Sequence, residues 1–324
     1  MTKLQDALVI RGKLIKNRIV MEPIYTFSFH GDDGCFYGRQ HIEHYEARAK
    51  GGAGLIIIQA TSCLGASDNS GQWTDGDKAA LRTIAQKCQD HGAAVIMQLA
   101  CGNLDINSLS PEEIRAMQRE ITNAAVTAYK LGYDGVEFHF AHGFTLCKFI
   151  DAEFNRRTDN FGGAAENRTS VLTEILPDIR SNTSDSFILG IRMGEFLPEP
   201  KDGVELARLF ENAGIDLLNI SFGMRPPSGP VPDGFICSPM ALSGCRIKQA
   251  VKSVPVIAAG VIRTAEQARF LVENDYVDLI GIGTAFLADP SFADHILLGA
   301  PVNACLECTR CFWWTDHTKC PARK

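Results

Sequence analysis

Short apolar segments alternate along the chain with longer stretches in which apolar residues recur at helical spacing. An uninterrupted apolar run that is rich in β-branched residues is typical of a strand buried on both faces. The pattern predicts eight such strands, at residues 19–24, 54–60, 93–99, 136–140, 187–192, 217–221, 255–259 and 279–283.

The stretches between these segments predict a helix after each strand. Ser110, Pro111 and Glu113 provide an N-cap, a first-turn proline and the second half of a capping box. Thr264 and Gln267 repeat the capping-box spacing. The predicted helices cover residues 38–50, 77–91, 111–131, 166–181, 204–213, 241–252, 265–273 and 291–298.

Strands that are each followed by a helix favour parallel pairing, and eight such units favour closure of the sheet. The sequence therefore predicts an α/β fold, a (β/α)8 TIM barrel, with a hairpin at residues 8–15 before the first core strand. A doubly wound open sheet is the alternative, but no G-x-G-x-x-G sequence opens a helix after the first strand. We assign residues 1–300 to the barrel and residues 301–324 to a cysteine-rich extension.

Composition narrows the classes of function. The 324 residues are 45% hydrophobic and 22% charged, which is enough for a large buried core. The formal net charge is -6, so no positive field favours nucleic acid or an anionic membrane. No apolar run approaches the length of a membrane span, and the amino terminus does not read as a signal peptide. We expect a cytoplasmic protein that acts on a small molecule and binds neither nucleic acid nor membrane.

In a (β/α)8 barrel the chemistry is built at the carboxyl ends of the strands. Glycines at the ends of the last two predicted strands indicate a phosphate held by backbone N–H groups. The residues at these ends that the sequence singles out are Pro23, Ile24, Tyr25, Gln59, Ala60, Thr61, Gln98, His139, His142, Arg192, Ala259, Gly260, Val261, Gly283 and Thr284.

Residues 134–163, DGVEFHFAHGFTLCKFIDAEFNRRTDNFGG, place two histidines at the end of the fourth strand. His139 ends that strand, and His142 follows just before Gly143. Two imidazoles there can donate hydrogen bonds to an oxygen that gains negative charge during a reaction. A packing or capping role and a zinc site are the alternatives, although neither a zinc-protease E-H pairing nor an evident third ligand accompanies the pair.

This segment resembles the active-site segment of the Old Yellow Enzyme family of flavin-dependent ene-reductases, which runs E-x-H-x-A-H/N-G-Y-L, then F-L, and then N-x-R-x-D-x-Y-G-G. The resemblance extends from residues 16–20 to residues 288–290. One departure is Phe144, which stands where the family has its usual proton donor, a tyrosine. The matching residues are Glu137, His139, Ala141, His142, Gly143, Phe149, Asn155, Arg157, Asp159, Phe161, Gly162 and Gly163.

The resemblance implies FMN as the cofactor and NADH or NADPH as the reductant. In the family pattern Gln98 would bond the pyrimidine end of the flavin, and Arg192 would stabilise negative charge near N1 and O2. Thr284 stands where an arginine is common, which would leave the phosphate pocket less positive. The implied cofactor-binding residues are Pro23, Ile24, Tyr25, Ala60, Gln98, Arg192, Gly260, Val261, Gly283 and Thr284.

The implied reaction transfers hydride from flavin N5 to an activated alkene whose carbonyl oxygen is held by His139 and His142. Because Phe144 cannot donate a proton, we assign that role to Tyr25, with water as the alternative. Two other functions stay open. One is an electron carrier that binds flavin and metal and is reduced by a partner protein. The other is a flavin-free barrel isomerase or lyase that uses the histidines as acid and base.

The eleven cysteines form two groups. Seven are scattered and are interpreted as small buried hydrophobic residues of a reducing compartment. The other four make two C-x-x-C steps and a fourth thiol, which suits a [4Fe–4S] cluster or zinc. They resemble the motif that follows the barrel in relatives similar to 2,4-dienoyl-CoA reductase, where a cluster serves a second flavin domain. A homo-oligomer and an electron-donor protein are further partners to test. The four are Cys305, Cys308, Cys311 and Cys320.

Overall fold

Eight parallel strands close into a barrel in the computed structural model, which describes residues 2–195 and 200–323. A hairpin of two short strands, β1 (Leu8–Ile10) and β2 (Lys13–Ile15), precedes it. The barrel strands are β3 (Ile19–Met21), β4 (Leu55–Ser62), β5 (Ala94–Ala100), β6 (Gly135–His139), β7 (Ile188–Glu195), β8 (Leu217–Phe222), β9 (Val256–Ala259) and β10 (Leu279–Ile282).

Each barrel strand pairs in parallel with the next strand along the chain, and β10 closes the ring by pairing with β3. In that closing pair, Ile280 lies opposite Ile19 and Ile282 lies opposite Met21. The predicted (β/α)8 barrel with an amino-terminal hairpin is confirmed, and the alternative of an open doubly wound sheet is wrong.

Helices surround the barrel. Two of them, α4 and α10, are short and start soon after β6 and β10, next to the strand ends where the candidate site lies. The helices are α1 (Arg39–Lys50), α2 (Asp75–Asp90), α3 (Pro111–Lys130), α4 (Thr145–Ile150), α5 (Ala165–Thr173), α6 (Leu176–Ser181), α7 (Pro200–Asn212), α8 (Pro239–Ala250), α9 (Ala265–Glu273), α10 (Thr284–Ala288) and α11 (Phe292–Leu298).

The hairpin closes the amino-terminal end of the barrel. It turns at Arg11 and Gly12, whose φ angles of 50° and 78° are those of the tight turn that favours a two-residue β-hairpin. Ile10 and Ile15 are buried and belong to the same apolar cluster as Leu55 and other residues of the barrel strands. The hairpin therefore adds apolar side chains to the base of the barrel interior.

The interior of the barrel changes from apolar to polar along its axis. Because side chains two residues apart on a strand point the same way, the residue two positions after an apolar interior residue also faces inward. Val20, Ile96 and Leu217 belong to the apolar cluster, and two residues later come Glu22, Gln98 and Asn219. The apolar base comprises Ile10, Ile15, Val20, Leu55, Ile57, Ala94, Ile96, Ile188, Leu217, Ile257 and Leu279.

Several predicted helix ends are confirmed. Ser110 Oγ accepts a hydrogen bond from the Glu113 backbone N–H at 3.2 Å, and the Glu113 carboxylate accepts one from the Ser110 N–H at 2.7 Å. Thr264 Oγ1 accepts from the backbone N–H of Gln267 at 3.1 Å. These contacts satisfy backbone groups that have no partner inside the helix.

The single helix predicted at residues 166–181 is wrong, because the chain forms α5 and α6 with a break at residues 174–175. Pro177 lies in the first turn of α6. It has no N–H, and in a continuous helix its ring would clash with the carbonyl of Thr173. The first barrel strand ends at Met21 instead of residue 24, since Pro23 cannot donate a ladder hydrogen bond.

The carboxyl-terminal segment, residues 301–323, contains three 3₁₀ turns at Phe312–Trp314, His317–Lys319 and Pro321–Arg323. We call it the cysteine tail. Trp313 is 2% exposed and packs in a cluster with Phe29 and Leu287, so it anchors the tail to the barrel. None of the helices within residues 2–195 and 200–323 has the length and apolar character to span a bilayer.

Candidate active site

A network of polar side chains crosses the barrel at the carboxyl ends of its strands. Gln98 Nε2 donates to Glu137 Oε2 at 2.6 Å, and Asn219 Nδ2 donates to Glu137 Oε1 at 2.8 Å. Asn219 Nδ2 also lies 3.1 Å from Glu22 Oε2, and Arg192 Nη2 pairs with that oxygen at 2.8 Å. We call these five residues the polar layer.

The polar layer places two carboxyl groups beside one guanidinium group. Glu22 is 4% exposed, Glu137 0% and Arg192 8%. Burial raises the pKa of Glu137 to about 7, while the positive charge of Arg192 opposes the rise and the Glu22 carboxyl adds to it. The Glu137 carboxyl is therefore partly protonated near neutral pH, and the layer is not simply cationic.

The two predicted histidines are brought together at the open end of the barrel. His139 ends β6 and lies in register with Arg192 of β7. His142 has a φ of 63°, a conformation that a residue with a side chain adopts only when its surroundings hold it there. His142 Nδ1 lies 3.0 Å from His139 Nε2, and His142 Nε2 lies 2.9 Å from Ser221 Oγ.

Both histidines are uncharged at neutral pH. Burial lowers the pKa of His139 to about 3 and that of His142 to about 2, and the positive charge of Arg192 lowers both further. A neutral imidazole has one donor and one acceptor nitrogen. If both rings are to donate to one external oxygen, His142 must carry its proton on Nδ1 while Nε2 accepts from Ser221. Ser221 is therefore able to select the His142 tautomer.

Several buried polar atoms near the barrel mouth lack a hydrogen-bond partner within the described residues. A buried donor without a partner costs about 1–3 kcal/mol, so such atoms mark places where a polar ligand would complete the structure. Donors of this kind fit the carbonyl oxygens and ring nitrogens of a flavin. The donors are Gln59 Nε2, Arg192 Nε and Arg263 Nε. Glu22 Oε1 is an unpaired acceptor, and so is His139 Nδ1 when that ring carries its proton on Nε2.

The loop after β3 carries Pro23, Ile24 and Tyr25. The ring of Tyr25 is half-buried, 4.7 Å from the ring of Phe27 and 5.9 Å from that of Phe36. Burial raises the pKa of Tyr25, an effect that a hydrogen bond with Gln72 opposes. The Tyr25 hydroxyl therefore keeps its proton at neutral pH.

Two further positions flank the histidines and the loop after β3. The ring of Phe144 lies 5.2 Å from that of His139, so the residue that replaces the family tyrosine lies against the histidine pair. Ala60 lies in β4 where the pairing with β5 shifts register between Ile58 and Thr61. The shift leaves the methyl group of Ala60 partly exposed.

The residues predicted to hold a phosphate lie in two adjacent loops, because β9 and β10 are neighbours in the barrel. Gly260 has a φ of 125°, and a Cβ there would lie 2.7 Å from the Cβ of Met240. Val261 has a φ of 56° and is 54% exposed, an unusual conformation for a β-branched residue. Gly283 is the N-cap residue of α10, which begins at Thr284.

Four residues of the site were not predicted from the sequence, namely Glu22, Asn219, Ser221 and Arg263. The first three face the barrel interior, and spacing of two residues from apolar interior positions is the signal that could have found them. The signal for Arg263 is its place in the loop after β9, two residues after Val261. Its guanidinium pairs with Glu307 of the cysteine tail.

The four tail cysteines line one narrow cavity together with Thr284, Leu287 and Ala288 of α10. Burial raises the pKa of Cys311, and the other three thiols of the set raise it further, so the four sulfurs are near neighbours. Across the described ranges, no three His, Cys, Asp or Glu side chains are arranged as ligands of a single metal ion. Apolar side chains complete the lining of the cavity around the four cysteines, which are Cys305, Cys308, Cys311 and Cys320.

Six of the seven scattered cysteines are buried, as predicted, and the prediction of burial is wrong for Cys35. Cys35 is partly exposed, no cysteine forms a disulfide, and all eleven are free thiols. The buried members are Cys63, Cys88, Cys101, Cys147, Cys237 and Cys245.

A closed (β/α)8 barrel with this mouth defines a flavin-dependent oxidoreductase. The chain belongs to the NADH:flavin oxidoreductase / NADH oxidase family, whose model matches residues 4–108 and 101–303. It is 31% identical over 319 residues to an NADPH dehydrogenase of Halalkalibacterium halodurans, covering 89% of this chain and 92% of that one. It is 30% identical over 340 residues to an NADPH dehydrogenase of Geobacillus sp., covering 95% and 98%.

Solved structures share the fold at 22% identity. An Old Yellow Enzyme homologue from Zymomonas mobilis superposes with a TM-score of 0.79 over 98% of this chain and 99% of that chain. A 2-naphthoyl-CoA reductase superposes with a TM-score of 0.83, and this chain spans 56% of its length. The predicted family and the predicted NAD(P)H:flavin oxidoreductase class are confirmed, whereas the family match ends at residue 303, before the tail cysteines.

Proposed function

We propose that the protein uses NADH or NADPH to reduce bound FMN and then reduces an activated alkene, such as an α,β-unsaturated carbonyl compound. The observation that carries this proposal is the 3.0 Å contact between His139 Nε2 and His142 Nδ1 in two uncharged rings. In this contact one neutral ring donates to the other. A carbonyl oxygen that enters between them would accept from both nitrogens instead, and it gains negative charge as the conjugated carbon accepts hydride.

The residues of the barrel mouth fit FMN. The orphaned Nε of Arg192 and the amide of Gln98 would face the pyrimidine edge of the ring, and the two loops after β9 and β10 would hold the phosphate. When bound, FMN supplies hydride from N5. The residues that would hold it are Pro23, Ile24, Tyr25, Ala60, Gln98, Arg192, Gly260, Val261, Gly283 and Thr284.

The protein side chains would then orient the substrate and move one proton. His139 and His142 hold the carbonyl oxygen, and Ser221 keeps the His142 proton on Nδ1. Tyr25 keeps its proton at neutral pH and would deliver it to the α-carbon, with water as the alternative donor. Tyr25→Phe should slow alkene reduction and alter its pH profile, and an unchanged profile would assign the proton to water.

An anaerobic titration tests the main proposal. The purified protein is titrated with NADH and with NADPH, and then with a panel of enones, nitroalkenes and an unsaturated CoA thioester. The thioester is included because a fold neighbour is a 2-naphthoyl-CoA reductase in complex with 2-naphthoyl-CoA. We expect a nicotinamide to bleach the flavin and at least one alkene to restore its colour. Bleaching that no alkene reverses would exclude alkene reduction by this site.

A second candidate is an electron carrier, and one contact favours it. Ile24, a proposed flavin contact, packs in the same apolar cluster as Cys311 and Cys320. A zinc ion holds its sulfurs at about 2.3 Å, whereas a [4Fe–4S] cluster spreads its four cysteines more widely. The four thiols line one cavity beside α10, and the group we propose to test there against zinc is a [4Fe–4S] cluster.

Metal analysis and the visible spectrum of the purified protein test the tail. We expect iron and sulfide in the native protein and their loss in Cys311→Ser, with FMN retained. Cys35→Ser is the matched control, because Cys35 is a free cysteine outside the tail. Zinc, or no metal in protein purified without oxygen, would contradict the cluster.

Bleaching by a reduced electron-donor protein, but not by nicotinamides, would favour the carrier. A colourless protein that binds no FMN would favour the flavin-free isomerase or lyase. The homo-oligomer, the electron-donor partner and the cytoplasmic location stay predictions.

A further inference from the structure

Glu22 holds the guanidinium group that the proposed function assigns to the flavin. Arg192 Nη2 lies 2.8 Å from Glu22 Oε2, and both residues are buried. Buried ion pairs are weakly screened by solvent, so the carboxylate offsets much of the positive charge of Arg192. Arg192 thus reaches the cofactor position with its charge already balanced.

The site around Glu22 is shaped to keep that carboxylate in place. Asn219 Nδ2 lies 3.1 Å from Glu22 Oε2. On the other side Gly281 leaves the necessary space, because a Cβ at that position would lie 2.0 Å from Glu22 Oε1. A side chain at position 281 would therefore force the Glu22 carboxyl group to shift.

The other groups around Glu22 do not restore a net positive charge. On the strands whose described side chains face it, the charged or titratable groups are Arg192 and Glu137, and β8 contributes the amide of Asn219. Beyond them, His139 and His142 are uncharged at neutral pH. The layer around Arg192 is therefore neutral or negative.

We propose that Glu22 acts through Arg192 to set the charge of the reduced cofactor, so that reduction of bound flavin takes up two protons for its two electrons. The proposal rests on FMN binding as proposed above. Hydride from the nicotinamide, which leaves as NAD(P)+, brings two electrons and one proton. This leaves one extra negative charge on the flavin unless a second proton comes from water. A lone guanidinium would stabilise that charge, whereas one paired with Glu22 favours the second proton.

The test is the midpoint potential of the bound flavin as a function of pH, measured with a chemical reductant so that neither nicotinamide nor alkene is required. Two protons per two electrons give a slope of about 59 mV per pH unit, and one proton gives about 30 mV. We expect the larger slope between pH 7 and 8 in the native holoenzyme. In Glu22→Gln we expect the smaller slope. We also expect the midpoint potential to rise by at least about 30 mV, which corresponds to a tenfold greater preference for reduced over oxidised flavin.

Two controls separate charge from structure. Glu22→Asp keeps the charge and should retain the two-proton slope. Glu137→Gln removes the second carboxyl of the layer and should also retain it, because the Glu137 oxygens accept from Gln98 and Asn219 and the ion pair of Arg192 is with Glu22. A one-proton slope in the native protein, or in Glu137→Gln alone, would overturn the proposal.

Where Glu22→Gln does not fold, the native slope still tests the proposal, because a one-proton slope there would overturn it. A preparation that binds no FMN would refute the proposed function as well. A one-proton slope in a protein that still reduces alkenes would refute only the role of Glu22.

Discussion

The barrel mouth and the cysteine tail are both candidate redox sites, but they are built in different ways. In the mouth, each polar side chain comes from a strand whose register is fixed by its neighbours; His139, Arg192 and Asn219, for example, lie opposite one another on β6, β7 and β8. In the tail, the thiols come from a segment that contains 3₁₀ turns only, and Cys308 is exposed.

The difference shows how each site obtains its geometry. The hydrogen bonds of the polar layer join side chains of the barrel strands to one another, so the fold itself preorganises the mouth. A set of thiols on an irregular segment depends on a metal group for its final arrangement, because metal binding and local folding are coupled. The most buried of the tail side chains that pack on the barrel is Trp313.

The largest expected effect therefore concerns that anchor. Trp313→Ala should destabilise the folded tail by about 3–5 kcal/mol, as truncation of a buried tryptophan usually does. The indole also lies 5.7 Å from the guanidinium of Arg48 and 5.4 Å from that of Arg323, contacts that the truncation removes. Trp314 is 59% exposed, and Trp314→Ala should cost less than about 0.5 kcal/mol. Limited proteolysis of the tail measures both, and equal rates of cleavage would refute the anchor.

His139→Ala should affect the mouth almost as strongly. Loss of one positioned donor to a developing oxyanion usually costs about 10²–10³ in rate. We expect that loss in the oxidation of reduced flavin by an enone, with a smaller change in its reduction by the nicotinamide. Rapid-mixing absorbance measurements separate the two half-reactions. His91→Ala, in a partly exposed histidine at the end of α2, is the control and should change neither.

Much of the barrel could be predicted because buried parallel strands are short apolar runs, and their carboxyl ends bear the chemistry. The partners across the barrel could not be predicted. Asn219 bonds to Glu22 and Glu137, which are 197 and 82 residues away along the chain, and only the closed sheet brings them together. The break at Pro177 was visible in the sequence, but the apolar periodicity continued through it.

For the tail, the chemistry of the site could be predicted from the sequence, but its position could not. Its C-x-x-C steps indicate a ligand type from local spacing alone, yet spacing does not determine where four sulfurs on an irregular segment point. The position of the tail against α10 and Ile24 depends on Trp313. The burial of Trp313 could not be predicted from the local sequence pattern. Strand register thus makes a site predictable in position, and local motifs make it predictable in chemistry.

Glu137→Gln should change the pH dependence of stability. The pKa of Glu137 is raised by burial to about 7 in the folded protein, above its unfolded value. Its stabilising contribution is therefore complete below the unfolded pKa and is lost as pH rises through 7. The native free energy of unfolding should fall by about 3 kcal/mol more than that of the variant between pH 4.5 and 7. Urea denaturation at several pH values measures this, and parallel curves would contradict the raised pKa.

Ser221→Ala should have the smallest of these effects, because it removes only the group that selects the His142 tautomer. Without the hydroxyl, His142 Nε2 loses the partner at 2.9 Å, and a proton on Nδ1 is no longer favoured over one on Nε2. The loss of one such hydrogen bond is worth about 1 kcal/mol, so the rate of alkene reduction should fall about five- to tenfold. Ser221→Thr restores the hydroxyl and should recover most of the rate. If both variants lose the same activity, Ser221 serves the packing of the strand and does not control the position of the proton on His142.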